Sequence, residues 1–293
     1  MLAQLAGYFR ASPPVGVVET DYSLWRCVET GLEFCDPPLT GNAAFYEWVS
    51  SFASYYPGYR WEYGEVGRLL KSENISAPGF KVLDVGCGKG DFLRSLEFLP
   101  AAKKFALDLN ESAIAACVSQ GFNAFCGTIE SAIAKGFLKP AGFPVVTSFH
   151  CLEHVGQPVA FVRELLRATT PGGKLYLSTP YSPMSFERDW FDVLNHPPHH
   201  MARWNLAAYR RLAEILGVKM RYFAPPNRPL KQAMQCFRLK HYGPNVPVTR
   251  VVLVRDLLRH ARQFLADWRR LGQRARHHET GGADLILVEF DVP

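Results

Sequence analysis

Between residues 81 and 180, short apolar runs alternate with helical patterns, and that alternation limits the fold more than any other feature. KVLDV (81–85), KFALDL (104–109), NAFCG (123–127), FPVVTSF (143–149) and KLYLSTP (174–180) read as buried strands. The segments between them, DFLRSLEFL, ESAIAACVSQ (111–120), SAIAKGFL (131–138) and QPVAFVRELLRATT (157–170), space their apolar residues as helices do. Such an order requires parallel β-α-β units in a doubly wound α/β sheet. Pro171-Gly172-Gly173 is expected to stop the last of these helices. Beyond it, 203–216 reads as a helix, VKMRYFA (218–224) as a sixth strand and DLILVEF (284–290) as a late strand. Residues 1–78 mix strand-like pieces (VGVVET, LWRC, LEFC) with helices expected near 43–55 and 61–71.

Composition narrows the class. Of 293 residues, 48% are hydrophobic and 20% charged, which excludes a disordered or fibrous chain. No apolar run approaches the roughly 18 residues that span a bilayer. MLAQLAGYFRASPP lacks the basic start and apolar stretch of a secretory signal, so a cytoplasmic location is expected. Seven scattered cysteines without a C-x-x-C pair are neither a disulfide framework nor a standard zinc set. The net charge of +6 is uneven: residues 226–280 hold 12 Lys/Arg against 3 Asp/Glu. From 251 to 272, Val254, Leu257, Leu258, Ala261, Phe264, Leu265, Trp268 and Leu271 fall on one face of a single expected helix, with arginines mostly elsewhere. That basic face is either simply solvated or a surface for an anionic acceptor or an acidic membrane. RNA fits least, because no RNA-binding module accompanies the arginines, and DNA is not expected.

VLDVGCGKGDF (82–92) places Gly86, Gly88 and Gly90 between a strand and a helix, where the chain turns tightly and a ligand can approach the backbone. The spacing G-x-G-x-G differs from the G-x-G-x-x-G of dinucleotide sites, which argues against a nicotinamide enzyme. Asp84, at the strand end, would repel a pyrophosphate but suits an ammonium group. Asp108 closes the next strand, where it can accept hydrogen bonds from both hydroxyls of a ribose.

VLDVGCGKG (82–90), ALDLN (106–110), VVTSFHCLEHV (145–155) and PGGKLYLSTP (171–180) stand in the order and spacing of the class I S-adenosylmethionine (SAM) dependent methyltransferases, which this sequence resembles over about 79–225. The resemblance implies a Rossmann-like seven-stranded sheet, with 284–290 as the antiparallel seventh strand. It implies SAM as cofactor, with Asp84, Gly86, Cys87, Gly88 and Gly90 around the methionine part and Asp108 and Leu109 at the ribose. Thr128 and Ile129 would lie beside the adenine, where many relatives carry an acid, and Phe149 would close the site. The expected organisation is a core of 79–225 plus 282–293, an N-terminal cap over 1–78 and a basic helical insertion over 226–281. Within the cap, YSLWRCVETGLEFCDPP (22–38) resembles a degenerate zinc knuckle of some sugar-modifying methyltransferases. Thr30 stands where the partner of Cys27 would be, so no zinc is expected there.

Methyl transfer from a sulfonium needs an aligned acceptor and removal of its proton, and histidine suits that task near neutral pH. His150 and His154 follow the fourth strand in SFHCLEHV, a segment that resembles the ubiquinone-biosynthesis type of O-methyltransferase. NHPPHHMARW adds His196, His199 and His200 after the fifth strand. His150, His154, His199 and His200 are the candidate bases. Tyr56, Trp61, Trp190 and His196 are the candidate acceptor contacts. Adjacent side chains such as His199 and His200 tend to diverge and the run holds no carboxylate, so no metal is expected. The sequence thus reads as an enzyme that methylates a small molecule or glycan, most simply at oxygen. An RNA methyltransferase and a SAM-binding subunit without turnover are the rivals.

Overall fold

A computed structural model describes residues 2–17, 21–38, 41–52, 58–72, 77, 79–244 and 246–293. The N-terminal region holds α1 (Leu2–Phe9), the hairpin β1 (Ser23–Arg26) and β2 (Glu33–Asp36), α2 (Ala43–Ser50) and α3 (Trp61–Leu70). Val15–Val17, expected to open a strand, are irregular, and 18–20 lie outside the described residues. Helix α1 was not legible as an element. It is held by Leu5, which is buried against Phe45, Trp48, Val49 and Val193.

The core follows as β3 (Val82–Val85), α4 (Asp91–Ser95), β4 (Lys104–Asp108), α5 (Glu111–Ser119), β5 (Asn123–Cys126), α6 (Ile129–Ala134), β6 (Phe143–Phe149), α7 (Pro158–Ala168) and β7 (Thr169–Pro180). After it come the short β8 (Ala202–Arg203), α8 (Leu206–Leu216), β9 (Lys219–Phe223), α9 (Pro229–Tyr242), α10 (Arg250–Arg259), α11 (Ala261–His277) and β10 (Leu285–Asp291). The described strands build a seven-stranded sheet in the order β5-β4-β3-β6-β7-β10-β9. Its first five strands are parallel, while β10 runs antiparallel to both β7 and β9. Helices cover both faces, so β3 is buried at all four positions, which is why its sequence is a near-continuous apolar run. One apolar cluster joins Leu83, Val146, Leu175 and Val288 to α7 and α8; the other joins Val82, Ala106 and Val145 to α3 and α4.

Two expectations are corrected. Helix α7 ends at Ala168, and Pro171-Gly172-Gly173, expected to stop it, lies inside β7, which starts at Thr169 and not at Lys174. The N–H of Gly172 donates to Val292 O, and that of Val292 to Gly173 O, so the C-terminal end of the chain continues the pairing there. The basic stretch from 251 to 272 is two helices broken at His260, not one. Helix α11 packs on α9 through Leu271 and Phe264, against Ala233 and Cys236. Helix α10 buries none of its residues, and Val251, Val254 and Leu258 are exposed. Among the described residues, no helix is long and apolar enough to cross a membrane.

Candidate functional site

The glycine turn leaves β3 at the carboxyl edge of the sheet. Gly86, Gly88 and Gly90 all have positive φ (74°, 52° and 77°), a backbone that side chains resist. A Cβ on Gly86 would stand 2.1 Å from the Cys151 Sγ, so the loop after β6 packs directly on this turn. Gly88 N–H donates to Asp108 Oδ2 at 2.8 Å and Asn110 N–H to Asp108 Oδ1 at 2.9 Å. A backbone bond from Leu109 joins them, and with about four acceptor sites the carboxylate can take a further donor. Asp84 is buried and accepts from the Thr147 hydroxyl at 2.7 Å. Burial, with a smaller contribution from the Asp108 charge, pushes its pKa up to about 7 against that hydrogen bond.

A buried acid with no cationic partner among the described residues, a second acid at the neighbouring strand end and a turn of left-handed glycines fit the amino acid and ribose ends of SAM. Leu109, beside Asp108, is 74% exposed, an apolar side chain left free at the strand end. Cys87 is buried, its Sγ 3.8 Å from that of Cys117. Other expected contacts have different tasks. Thr128 caps α6 in a reciprocal arrangement with Ser131, and Ile129 is buried in the core. Phe149 packs among Tyr63 and Phe92 beneath the site. Trp61 packs against the same cluster.

His150 follows β6 at φ 53°, a left-handed conformation that is strained for a residue with a side chain. Its Nε2 lies 2.8 Å from Glu62 Oε1 and its Nδ1 3.2 Å from Glu153 Oε1. Burial and Arg60 lower its pKa, but the two carboxylates outweigh them and the net shift is upward. Carboxylates facing both ring nitrogens favour the protonated ring, which works against the expected role of His150 as a base. Glu62 was missed in the sequence. The signal was an acid on the buried stripe of α3, which runs Glu62, Val66, Leu70.

The remaining histidines gather next to this pair. In the turn Leu152–His154, Glu153 O accepts from Met201 N–H at 2.7 Å, joining the LEHV segment to the HPPHH loop. His199 and His200 do not diverge, because both their N–H groups bond to His196 O in one tight turn. Their rings stack at 4.5 Å, and the His154 ring stands edge-on to them at 4.6 and 4.7 Å. The N-terminal region roofs the loop through Gly41 N–H to Pro198 O and Cys35 N–H to Met201 O, while Tyr46 sets its ring on His154. Cys35 packs its thiol on Met201. Burial lowers the pKa of His154 and of His199 to about 4, and that of His200 further. His196 stacks on Phe191, and burial with Arg203 lowers its pKa to about 4. Trp190 instead packs with Phe186 at the insertion, near Leu271 and Phe264. Asp189 there pairs with Arg270 at 2.9 Å. Tyr56 lies outside the described residues.

A family model described as a methyltransferase domain matches residues 60–222, more than half of the chain. Ubiquinone biosynthesis O-methyltransferases are similar over 111 residues: 33% identical in Xanthomonas oryzae pv. oryzae, covering 37% of this chain and 46% of that protein, and 35% in Pseudomonas putida, covering 36% and 47%. The aligned stretch thus spans about half the length of these curated relatives. Among solved structures, a SAM-dependent methyltransferase from Thermotoga maritima matches with a TM-score of 0.50 at 14% identity, covering 85% of this chain and 98% of that one. A Haemonchus contortus phosphoethanolamine N-methyltransferase bound to S-adenosylhomocysteine matches with a TM-score of 0.53 at 14% identity, covering 99% and 73%. With the sheet order, the glycine turn and the two strand-end acids already in place, the chain belongs to the SAM-dependent methyltransferase family and carries its class I domain.

Proposed function

We propose that this chain methylates a hydroxyl of a small-molecule acceptor, a glycan or phenol among the candidates. SAM, when bound, supplies a methyl group on a sulfonium. The protein's share is to hold the donor, align the acceptor oxygen and take its proton. Asp84 would face the donor's ammonium and Asp108 its ribose. The observation that carries the acceptor side is the convergence of the LEHV turn and the HPPHH loop three residues beyond Cys151, which itself packs on the glycine turn. Proton acceptance falls to His154, His199 and His200, whose pKa values burial lowers, while the two carboxylates on His150 raise its own. The ubiquinone-type relatives support oxygen as the acceptor atom. The test is turnover against a panel of phenols and sugars alongside S-adenosylhomocysteine affinity. His199→Ala and His200→Ala should lower turnover by about 10²–10⁴-fold and leave the product's affinity within a few-fold. Equal losses in both would mean that these residues only hold the fold.

A further inference from the structure

The three-histidine cluster has an electronic state that the fold goes out of its way to fix. Nδ1 of His154 lies 2.6 Å from His199 O, Nδ1 of His199 2.8 Å from Leu194 O, and Nδ1 of His200 3.0 Å from Asn195 Oδ1. A carbonyl oxygen only accepts, so each Nδ1 carries the hydrogen and each lone pair lies on Nε2. The orientation of the Asn195 amide is itself fixed, because its Nδ2 donates to Glu187 Oε1 at 3.2 Å. Glu187 in turn pairs with Arg203, which reaches Glu33 at 3.0 Å. One ring nitrogen from each histidine lies within 4.8 Å of one from each of the others. The rings are buried, and burial lowers the pKa of each.

Neutral imidazoles whose second nitrogen is pinned by a carbonyl are the usual protein ligands of transition metals. We infer that His154, His199 and His200 form a site for a divalent metal ion of the zinc class, bound through the three Nε2 atoms. Among the described residues no carboxylate joins the set, which disfavours magnesium and calcium and favours zinc, cobalt or nickel. Zinc–nitrogen bonds of about 2.0–2.1 Å place tetrahedral nitrogens about 3.4 Å apart, so the rings must draw together on loading. Three protein ligands leave a coordination position for water or for an oxygen of the acceptor. The metal site stands by itself, and only the acceptor at the open position rests on the proposed hydroxyl methylation; a bound metal takes the three lone pairs assigned above to proton acceptance, so free base and metal ligand are alternative roles of these rings that the titration separates.

The test uses the full chain, stripped by chelator dialysis and titrated with cobalt(II), then with zinc(II). One equivalent of cobalt should bind with the visible d–d absorption of few-coordinate nitrogen ligation, and zinc should displace it. His199→Ala and His200→Ala should abolish the band, while His278→Ala, outside the cluster, should leave it intact. Asn195→Ala removes a positioning residue and should weaken metal affinity by about 10–100-fold. Circular dichroism on each variant separates loss of ligand from loss of fold, and where a variant does not fold, the wild-type titration decides. A folded wild-type chain that takes up neither metal overturns the inference, as does uptake unchanged in the folded double variant. Titrating the same samples with S-adenosylhomocysteine reads the donor site separately, so failure of one assignment does not hide in the other.

Discussion

Asp84 and Asp108 show how much single residues can say. Both stood out in the sequence because acids at consecutive strand ends beside a glycine turn have few other uses, and the structure adds their charge states. Asp84 ionises at about 7 because it is buried. A donor ammonium placed against it favours the carboxylate, so binding below that pH must release a proton. Affinity for S-adenosylhomocysteine should therefore rise by up to about tenfold per pH unit from pH ~5 to ~7, then level off. Calorimetry in buffers of different ionisation enthalpy reads the released proton, and a flat profile would remove Asp84 from the ammonium. Asp108→Ala should weaken the same affinity by about 10–100-fold, the loss of charge-assisted hydrogen bonds. Gly86→Ala should destabilise by more than the about 1–2 kcal/mol of a left-handed residue, because its Cβ would meet Cys151 Sγ. Adding Cys151→Ala leaves the nearest remaining atom, the Cys151 Cβ, at 3.5 Å and should recover the excess but not the backbone share. Denaturant unfolding of the single and double variants measures both parts.

At the scale of elements, the strands of the core were legible because each is short, apolar and followed by a helical period, a pattern set by local burial. Contacts between distant elements were not. Glu62 and His150 are 88 residues apart, and nothing near either one announces the other. The same holds for Asn195, whose importance lies in the amide it turns toward His200. The break at His260 escaped detection because the apolar spacing runs through it, while the packing that bends the chain comes from α9: the His260 ring lies 4.5 Å from that of His241. Removing one partner of the buried pair by Glu62→Gln should cost about 3 kcal/mol, at the low end of the range because Glu153 remains. The raised pKa of His150 gives the sign of the pH effect. The pair's stabilisation is complete below the unfolded histidine value of ~6.5 and is lost as pH rises through the raised folded value. The cost of Glu62→Gln should thus shrink in alkaline solution; a cost that does not change with pH would show that His150 is neutral.

Across the whole molecule, the alternation of strands and helices fixed the direction of five strands, and the late apolar run supplied the antiparallel strand between β7 and β9. The N-terminal region was read as a cap from its aromatic residues, yet its connection to the site runs through backbone bonds to the HPPHH loop and a small sheet of β1, β2 and β8. Those are long-range pairings that local patterns do not encode. The histidine cluster proposed for the acceptor was not legible for the same reason, since it joins the LEHV turn to the HPPHH loop 45 residues on. What all scales share is the donor site proposed at the carboxyl edge of β3 and β4. Calorimetric titration with S-adenosylhomocysteine, with NAD as control, tests it most directly. Micromolar binding of S-adenosylhomocysteine at one site per chain, with no heat from NAD, is the expected result. No binding by a folded chain, or binding of NAD in its place, would contradict it.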